Sequence, residues 1–206
     1  MSRKTFNIFS KPTNIILIIV VYTVLVNCNP DFTPKPRGFF RIDFPEKKYM
    51  SLDKKFPYQF QIPVYSGIVP DRQNPEKSDW INVTIPQNNA ELHISYYTLP
   101  DSKENERRIL AQLIEESRAL AYKHSIKASS INEKLYVNRN ENVYGTVYRI
   151  EGNAASPIQF FLTDSTQHFM RGALYIKSTP NIDSLKPVIK FLEADVIRLI
   201  ESTTWN

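Results

Sequence analysis

The period of the hydrophobic pattern changes along this chain, and that change constrains the fold more than any other feature. Alternation of apolar and polar side chains, which is typical of strands, occurs at residues 56–64, 81–85 and 92–98. Four further strands are predicted between turn signals, at residues 133–138, 143–151, 157–163 and 168–177. In residues 104–124 and 183–200 the apolar positions instead recur every three or four residues, as in amphipathic helices. Because short turns join successive strands, the sequence predicts an α+β fold, with a largely antiparallel sheet packed by two amphipathic helices.

The predicted element order is βββ-α-ββββ-α, which resembles the outline of PsbP and Mog1 domains. Pro57 and Pro63 cannot donate ladder hydrogen bonds, so the first strand, 56–64, is predicted to be an edge strand with its even-numbered residues on the buried side. Residues 66–78 contain two prolines and are predicted to form a loop. Asp183 is the expected N-cap of the second helix.

The N-terminus resembles a secretory signal peptide that ends at a lipid-attachment site. A short basic segment precedes a largely apolar run, residues 15–26, which is followed by Asn27 and Cys28. This run is too short to span a membrane comfortably, since a spanning helix needs about 18 or more apolar residues. Cys28 is the only cysteine, and residues 25–28, LVNC, resemble a bacterial lipobox, in which the thiol receives a diacylglycerol with acyl chains such as palmitate. The alternative is an uncleaved anchor.

An aromatic and basic segment follows the cysteine. Its prolines favour extended backbone, so we divide the chain into a signal peptide (1–27), a lipidated extended arm (28–50) and a single α+β domain (51–206). Aromatic and arginine side chains concentrate binding energy at interfaces. The candidate partner-binding residues of the arm are therefore Arg37, Phe39, Phe40, Arg41 and Asp43. The alternative is that the aromatic side chains lay the arm across the globular body.

Composition and motifs argue against several classes of function. Residues 1–27 carry three basic side chains and no acidic one, which leaves 23 basic and 21 acidic side chains and no electrostatic footprint for nucleic acid. Five glycines are too few to favour a glycine-rich phosphate-binding loop. The sequence contains no HExxH, GxSxG, P-loop or CxxC motif. We therefore expect no catalytic residue, no metal and no cofactor.

Polar residues in two places invite a functional interpretation that the local pattern does not favour. Asp164, Ser165 and His168 contain the side-chain types of a hydrolase triad, but they lie within five consecutive residues at a predicted turn and cannot converge as nucleophile, base and orienting group. The pattern predicts a hairpin turn with a polar edge instead. Acidic residues scattered along the helices, Asp195 among them, are predicted to lie on solvated faces.

The strand 168–177 carries the candidates for a ligand site. Arg171 and Tyr175 share one face of this strand with Phe169 and Ala173. An arginine between aromatic side chains is either paired within the fold or part of a ligand or partner site. We keep His168, Arg171 and Tyr175 as residues with either a ligand-binding or a structural role.

Two blocks resemble the gliding-motility lipoproteins of the GldD family: residues 33–46, TPKPRGFFRIDFPE, and residues 160–175, FFLTDSTQHFMRGALY. The similarity runs from the lipobox through Trp205 and includes residues 79–82, DWIN. The resemblance implies a lipoprotein of gliding Gram-negative bacteria, required for gliding and linked to type IX protein secretion. It implies no catalytic activity, and it carries over only the lipid-bearing cysteine, onto Cys28.

Two classes of function follow. The first is a non-catalytic assembly or scaffold lipoprotein, with the membrane and other gliding or type IX secretion proteins of the envelope as partners. The second is a periplasmic binding module or an unrecognised enzyme that acts on cell-envelope material, with a concave site lined by Tyr96, Tyr148, Tyr175 or Arg171. Because residues 29–31 lack a strong acidic run, we expect an outer-membrane lipoprotein that faces the periplasm.

Overall fold

A seven-stranded antiparallel sheet forms the centre of the structure, a computed structural model that describes Ile16 and residues 41–53, 55–178 and 182–206. The strand order across the sheet is β4-β5-β6-β10-β9-β8-β7. Its strands are β4 (Gly67–Pro70), β5 (Ile81–Ile85), β6 (Ala90–Thr98), β7 (Ala128–Asn138), β8 (Val143–Gly152), β9 (Ile158–Thr163) and β10 (His168–Ile176). Each neighbouring pair is antiparallel, so the predicted sheet type is confirmed.

Two helices of 20 residues pack on the sheet, as the periodicity predicts. Helix α1 spans Lys103–Tyr122 and helix α2 spans Ile182–Glu201. Two small sheets complete the structure: β1 (Tyr49–Ser51) pairs with β3 (Gln61–Pro63), and β11 (Thr204–Trp205) pairs with β2 (Tyr58–Gln59). β1 begins inside the predicted arm, residues 28–50.

Alternation along the strands gives each face of the sheet its own hydrophobic core. One core joins the sheet to α2 and includes Leu162, Met170 and Leu192. The other lies on the α1 side and includes Leu113, Phe161 and Phe169. The interior of the sheet is closely packed, because a side chain at Gly172 on β10 would place its Cβ 2.2 Å from the ring of Phe160. The α+β class with two amphipathic helices is confirmed.

The prediction of one continuous strand over residues 56–64 is wrong, although each of its two parts pairs with a single neighbour, as an edge strand does. Phe56, Tyr58, Phe60 and Ile62 are buried as expected, whereas Val64 is 50% exposed. The segment is broken at Phe60 into β2 and β3, which belong to two separate small sheets. β4 takes the expected edge position in the main sheet, although its residues were predicted to be part of a loop. Period two identifies which side of a strand is buried, but it does not identify the neighbour that supplies its hydrogen bonds.

The hairpin turn at Asp164 forms as predicted, whereas the start of α2 differs from the prediction. The Asp164 carboxylate accepts hydrogen bonds from the backbone N–H groups of Thr166, Gln167 and His168, at 2.8–3.0 Å, which closes the hairpin between β9 and β10. Although burial opposes it, these bonds and the bond from the Thr166 hydroxyl hold the pKa of Asp164 below its ordinary value. Asp183 lies inside the first turn of α2 rather than at its N-cap.

The long helices of the described residues are α1 and α2. Neither combines the length and the apolar character that a membrane-spanning helix needs.

Candidate functional site

Residues 44–49 lie against the C-terminal helix α2. The ring of Phe44 stacks on the ring of Phe191, with centroids 4.3 Å apart and planes 14° from parallel. Tyr65, which follows β3, stacks against Phe191 as well, at 5.7 Å. An offset stack of aromatic rings adds to the free energy gained by burial alone. The start of the described chain is therefore held on the body of the domain from Phe44 onward.

A buried carboxylate in α2 holds this segment in place. Asp195 is 4% exposed and accepts a hydrogen bond from the Tyr49 hydroxyl at 3.0 Å and another from the Tyr65 hydroxyl at 2.7 Å. The Lys47 Nζ lies 2.6 Å from Asp195 Oδ1. We call Lys47, Tyr49, Tyr65 and Asp195 the Asp195 cluster. It joins three points of the N-terminal segment to one residue near the C-terminus.

Lys47 is the centre of this arrangement. Its Nζ donates hydrogen bonds to the Tyr65 hydroxyl at 2.9 Å and to the backbone carbonyl of Phe191 at 2.8 Å, and it lies 3.3 Å from the centroid of the Phe191 ring. Burial lowers the pKa of Lys47, and the hydrogen bond and charge of Asp195 oppose that change. All three ammonium hydrogens have acceptors here, which reduces the cost of taking the charge out of water.

The prediction that Asp195 lies on a solvated face is wrong, and no sequence motif indicated the Asp195 cluster. The spacing alone places Asp195 on the apolar stripe of α2, because Asp195 follows Leu192 by three positions and precedes Leu199 by four. A carboxylate on such a stripe needs buried partners. The spacing does not show that these partners come from residues 47–65.

The two tyrosines of the Asp195 cluster make the stability of the fold depend on pH in the alkaline range. Burial, followed by the charge and hydrogen bond of Asp195, raises the pKa of Tyr49 from 10.0 to about 12. Burial and the hydrogen bond to Asp195 also raise the pKa of Tyr65. A phenol with a raised pKa keeps its proton in the folded chain while the unfolded chain loses it. Its contribution to stability is thus complete below pH 10 and is lost as the pH rises through about 12.

We therefore expect the urea midpoint of the purified full chain to fall as the pH is raised from 10 towards about 12. In the variant Tyr49→Phe/Tyr65→Phe the fall should be shallower, because two of the perturbed phenols are gone. Equal slopes for the variant and the parent chain would contradict this assignment.

Only two of the five candidate partner-binding residues lie in the described part of the chain. Arg37, Phe39 and Phe40 lie outside the described residues, as does Cys28. Arg41 and Asp43 are exposed, at 89% and 79% of their side chains, and Arg41 Nε donates to Asp43 Oδ1 at 2.8 Å. An exposed pair of this kind contributes little to stability. Both side chains are therefore accessible to a partner.

His168 lies on the opposite face of the sheet from Arg171 and Tyr175, because odd and even residues of β10 alternate. Its Nδ1 is 2.6 Å from the Tyr96 hydroxyl, and its ring stacks on Trp205 at 5.0 Å. Burial lowers the pKa of His168, while the charge of Asp164 opposes this change. His168 and Tyr96 thus belong to the α2 face, and they cannot line one site with Arg171.

Arg171 and Tyr175 lie on the α1 face, as the predicted strand alternation requires. Arg171 is partly buried, between Ser95 on β6 and Phe161 on β9 across the ladder. Its Nη2 donates to Gln159 Oε1 at 3.2 Å. Burial lowers the pKa of Arg171, and burial followed by the Arg171 charge lowers the pKa of His124. Tyr148 is fully buried on this face, in the core beneath α1, and offers no surface to a ligand.

No three His, Cys, Asp or Glu side chains of the described ranges are grouped so that they could hold a metal ion.

Together these features define an α+β domain whose N-terminal segment is fixed to its C-terminal helix and which presents an exposed charged pair beside that attachment. The chain belongs to the gliding motility lipoprotein GldD family, whose model matches residues 29–205. Membership confirms the resemblance of the two sequence blocks and makes the chain a gliding motility lipoprotein. Membership in a lipoprotein family implies a membrane-anchored location in the cell envelope.

A solved structure is also similar to this chain. The solution structure of cyanobacterial PsbP (CyanoP) from Synechocystis sp. PCC 6803 matches with a TM-score of 0.45 at 10% sequence identity. The match covers 79% of this chain and 95% of that chain. No curated protein sequence matches this chain.

Proposed function

We propose that this chain is a non-catalytic assembly component of the gliding and type IX secretion machinery. In this proposal a lipid on Cys28 anchors it to the outer membrane, and its domain faces the periplasm. Its partners are the membrane and other envelope proteins of that machinery. Family membership supports the gliding role, and the Asp195 cluster is the observation that supports a scaffold.

The Asp195 cluster supports a scaffold because it fixes the point at which the arm joins the domain. A plain flexible linker would let the domain rotate freely about its anchor. Here Phe44 is stacked on α2, and Lys47 and Tyr49 are bonded to Asp195, within six residues of one another. A partner that binds the arm would therefore also meet a defined face of the domain.

Arg41 and Asp43 suit the role of contact residues beside that fixed point. Their side chains are exposed and are bonded to each other. Phe44, the next residue, is held on α2. Arginine offers several donors in a planar group, which can form a bidentate pair with a carboxylate of the partner. We extend this proposal to Arg37, Phe39 and Phe40, the other candidates in the arm.

The variant Arg37→Ala/Arg41→Ala tests the proposal. It should leave the free energy of unfolding of the full chain within about 0.5 kcal/mol per site of the parent value, because Arg41 has only an exposed partner. Colony spreading and the amount of secreted adhesin should nevertheless fall. Both are measured in cells in which the variant replaces the parent chain, with its abundance quantified in the same cells.

The matched control is Arg107→Ala/Arg108→Ala, which removes two exposed arginines from α1. It changes the net charge equally, so gliding should be retained. If the arm variant instead melts several degrees lower and gliding declines in proportion to its abundance, the arm is part of the fold and the binding role is wrong.

A further inference from the structure

Two buried donors on the α1 face of the sheet have no acceptor among the described residues. The Nε of Arg171 is buried and makes no hydrogen bond, and the same is true of the Nε2 of Gln159. Gln159 is 1% exposed. The two side chains are adjacent, because Arg171 Nη2 donates to Gln159 Oε1. Buried N–H groups of native proteins nearly always have a partner, so this pair of donors indicates a missing acceptor.

The charge of Arg171 is also uncompensated. No carboxylate of the described chain lies within ion-pair distance of its guanidinium, whereas Lys47 is paired with Asp195 and Arg149 with Glu193. Arginine remains protonated in proteins, so it cannot reduce the cost of burial by losing its proton. A partly buried cation without a counterion costs free energy that an anion at the same place would recover.

The surroundings of Arg171 favour an anion over a cation. The guanidinium is positively charged, and burial followed by this charge lowers the pKa of His124. A phenol hydroxyl donates a hydrogen bond as readily as it accepts one. Arg171, Tyr97 and Tyr175 are partly exposed, whereas Arg171 Nε and Gln159 Nε2 are buried, so a ligand must pass between these partly exposed side chains to reach the two donors.

We propose that Arg171 and Gln159 bind an oxyanion, a carboxylate or phosphate group of a small ligand, on the α1 face of the sheet. The ligand oxygens accept hydrogen bonds from Arg171 Nε and Gln159 Nε2, and the negative charge compensates the guanidinium. A carboxylate or a phosphate has the two acceptor oxygens that this pair of donors requires. The site lies on the opposite face from the Asp195 cluster and does not depend on the role of the arm.

The purified full chain in neutral detergent provides the test. Isothermal titration uses sodium acetate and sodium phosphate as probes, with sodium chloride at equal ionic strength as the reference. We expect saturable binding of at least one of the two oxyanions and none of chloride. Binding of acetate alone identifies a carboxylate site, and binding of phosphate alone identifies a phosphate site.

Three variants assign the binding to these residues. Arg171→Met and Gln159→Leu should each weaken it at least about tenfold. Arg149→Met should leave it unchanged, because Arg149 is a partly buried arginine that already has a carboxylate partner on the other face. Arg171→Lys keeps a positive charge and removes the Nε donor. It should also weaken binding, and it replaces the methionine variant if that chain does not fold.

Melting curves with and without the oxyanion complete the test. The parent chain should melt higher in the presence of the oxyanion, and Arg171→Met should lose this increase. The proposal is overturned if the parent chain binds neither oxyanion, or if Arg171→Met binds as tightly as the parent. It is equally overturned if Arg171→Met lowers the melting temperature by the same amount with and without oxyanion, since Arg171 would then serve only the fold.

Discussion

Replacing Asp195 by alanine should lower the free energy of unfolding by about 3 kcal/mol, at the low end of the range for breaking a buried ion pair. The substitution leaves the Lys47 ammonium without its counterion and two tyrosine hydroxyls without their acceptor. The effect is at the low end because 28% of the Lys47 side chain remains exposed to water. Urea unfolding of the full chain in detergent, followed by tryptophan fluorescence, measures it.

Glu193→Ala is the matched control for this substitution. Glu193 lies two residues before Asp195 on the same helix and pairs with Arg149, but about a third of each side chain is exposed. An ion pair of that exposure contributes at most about 1 kcal/mol. Equal losses for Asp195→Ala and Glu193→Ala would show that the Asp195 cluster does not hold the N-terminal segment.

A double variant separates the charge of Asp195 from its packing. In Lys47→Met/Asp195→Leu both charges are removed together, so no unpaired ion remains buried. Replacing a buried pair by apolar side chains of similar volume is often neutral. We therefore expect the double variant to be more stable than Asp195→Ala. If it is less stable, the contacts of Lys47 with Tyr65 and Phe191 contribute more to stability than the unpaired ammonium costs.

Replacing Cys28 by serine should abolish lipid attachment and, with it, gliding. Cys28 is the only cysteine in the chain, so no other thiol can accept the lipid. Each buried methylene of an acyl chain contributes about 0.8 kcal/mol to membrane affinity, which makes loss of the lipid a large effect. The measurements are incorporation of labelled palmitate, the size of the chain on gels and its distribution between membrane and soluble fractions.

Two forms of the Cys28→Ser chain agree with this prediction. A processed chain should appear in the soluble fraction, and an unprocessed one should retain residues 1–27 and run at a higher mass. Neither form should incorporate labelled palmitate. If the variant is acylated and fractionates like the parent chain, Cys28 is not the anchor, and the arm of our proposed function would need another attachment to the membrane.

The two helices and most strands of the main sheet followed from the sequence alone. The period of 3.6 in the helices and the period of two in β5 and β6 arise from backbone geometry. Turn residues delimit β7, β8, β9 and β10 in the sequence. The hairpin turn at Asp164 and the alternation that separates Arg171 from Met170 on β10 are equally local. Each depends on residues within a few positions of one another, so no tertiary contact was needed to predict them.

Only the tertiary structure decided how the broken segment 56–64 pairs, where Asp195 lies and what surrounds Arg171. β2 pairs with the chain end at β11, and Asp195 binds Lys47 and Tyr49, almost 150 positions earlier in the sequence. The periodicity of a segment shows that a face is buried, but the partner on that face comes from a distant part of the chain. That distant partner decides whether a polar side chain on the buried face is paired or left with free donors. For this reason the prediction for Asp195 was wrong, and the role of Arg171 could not be assigned from the sequence.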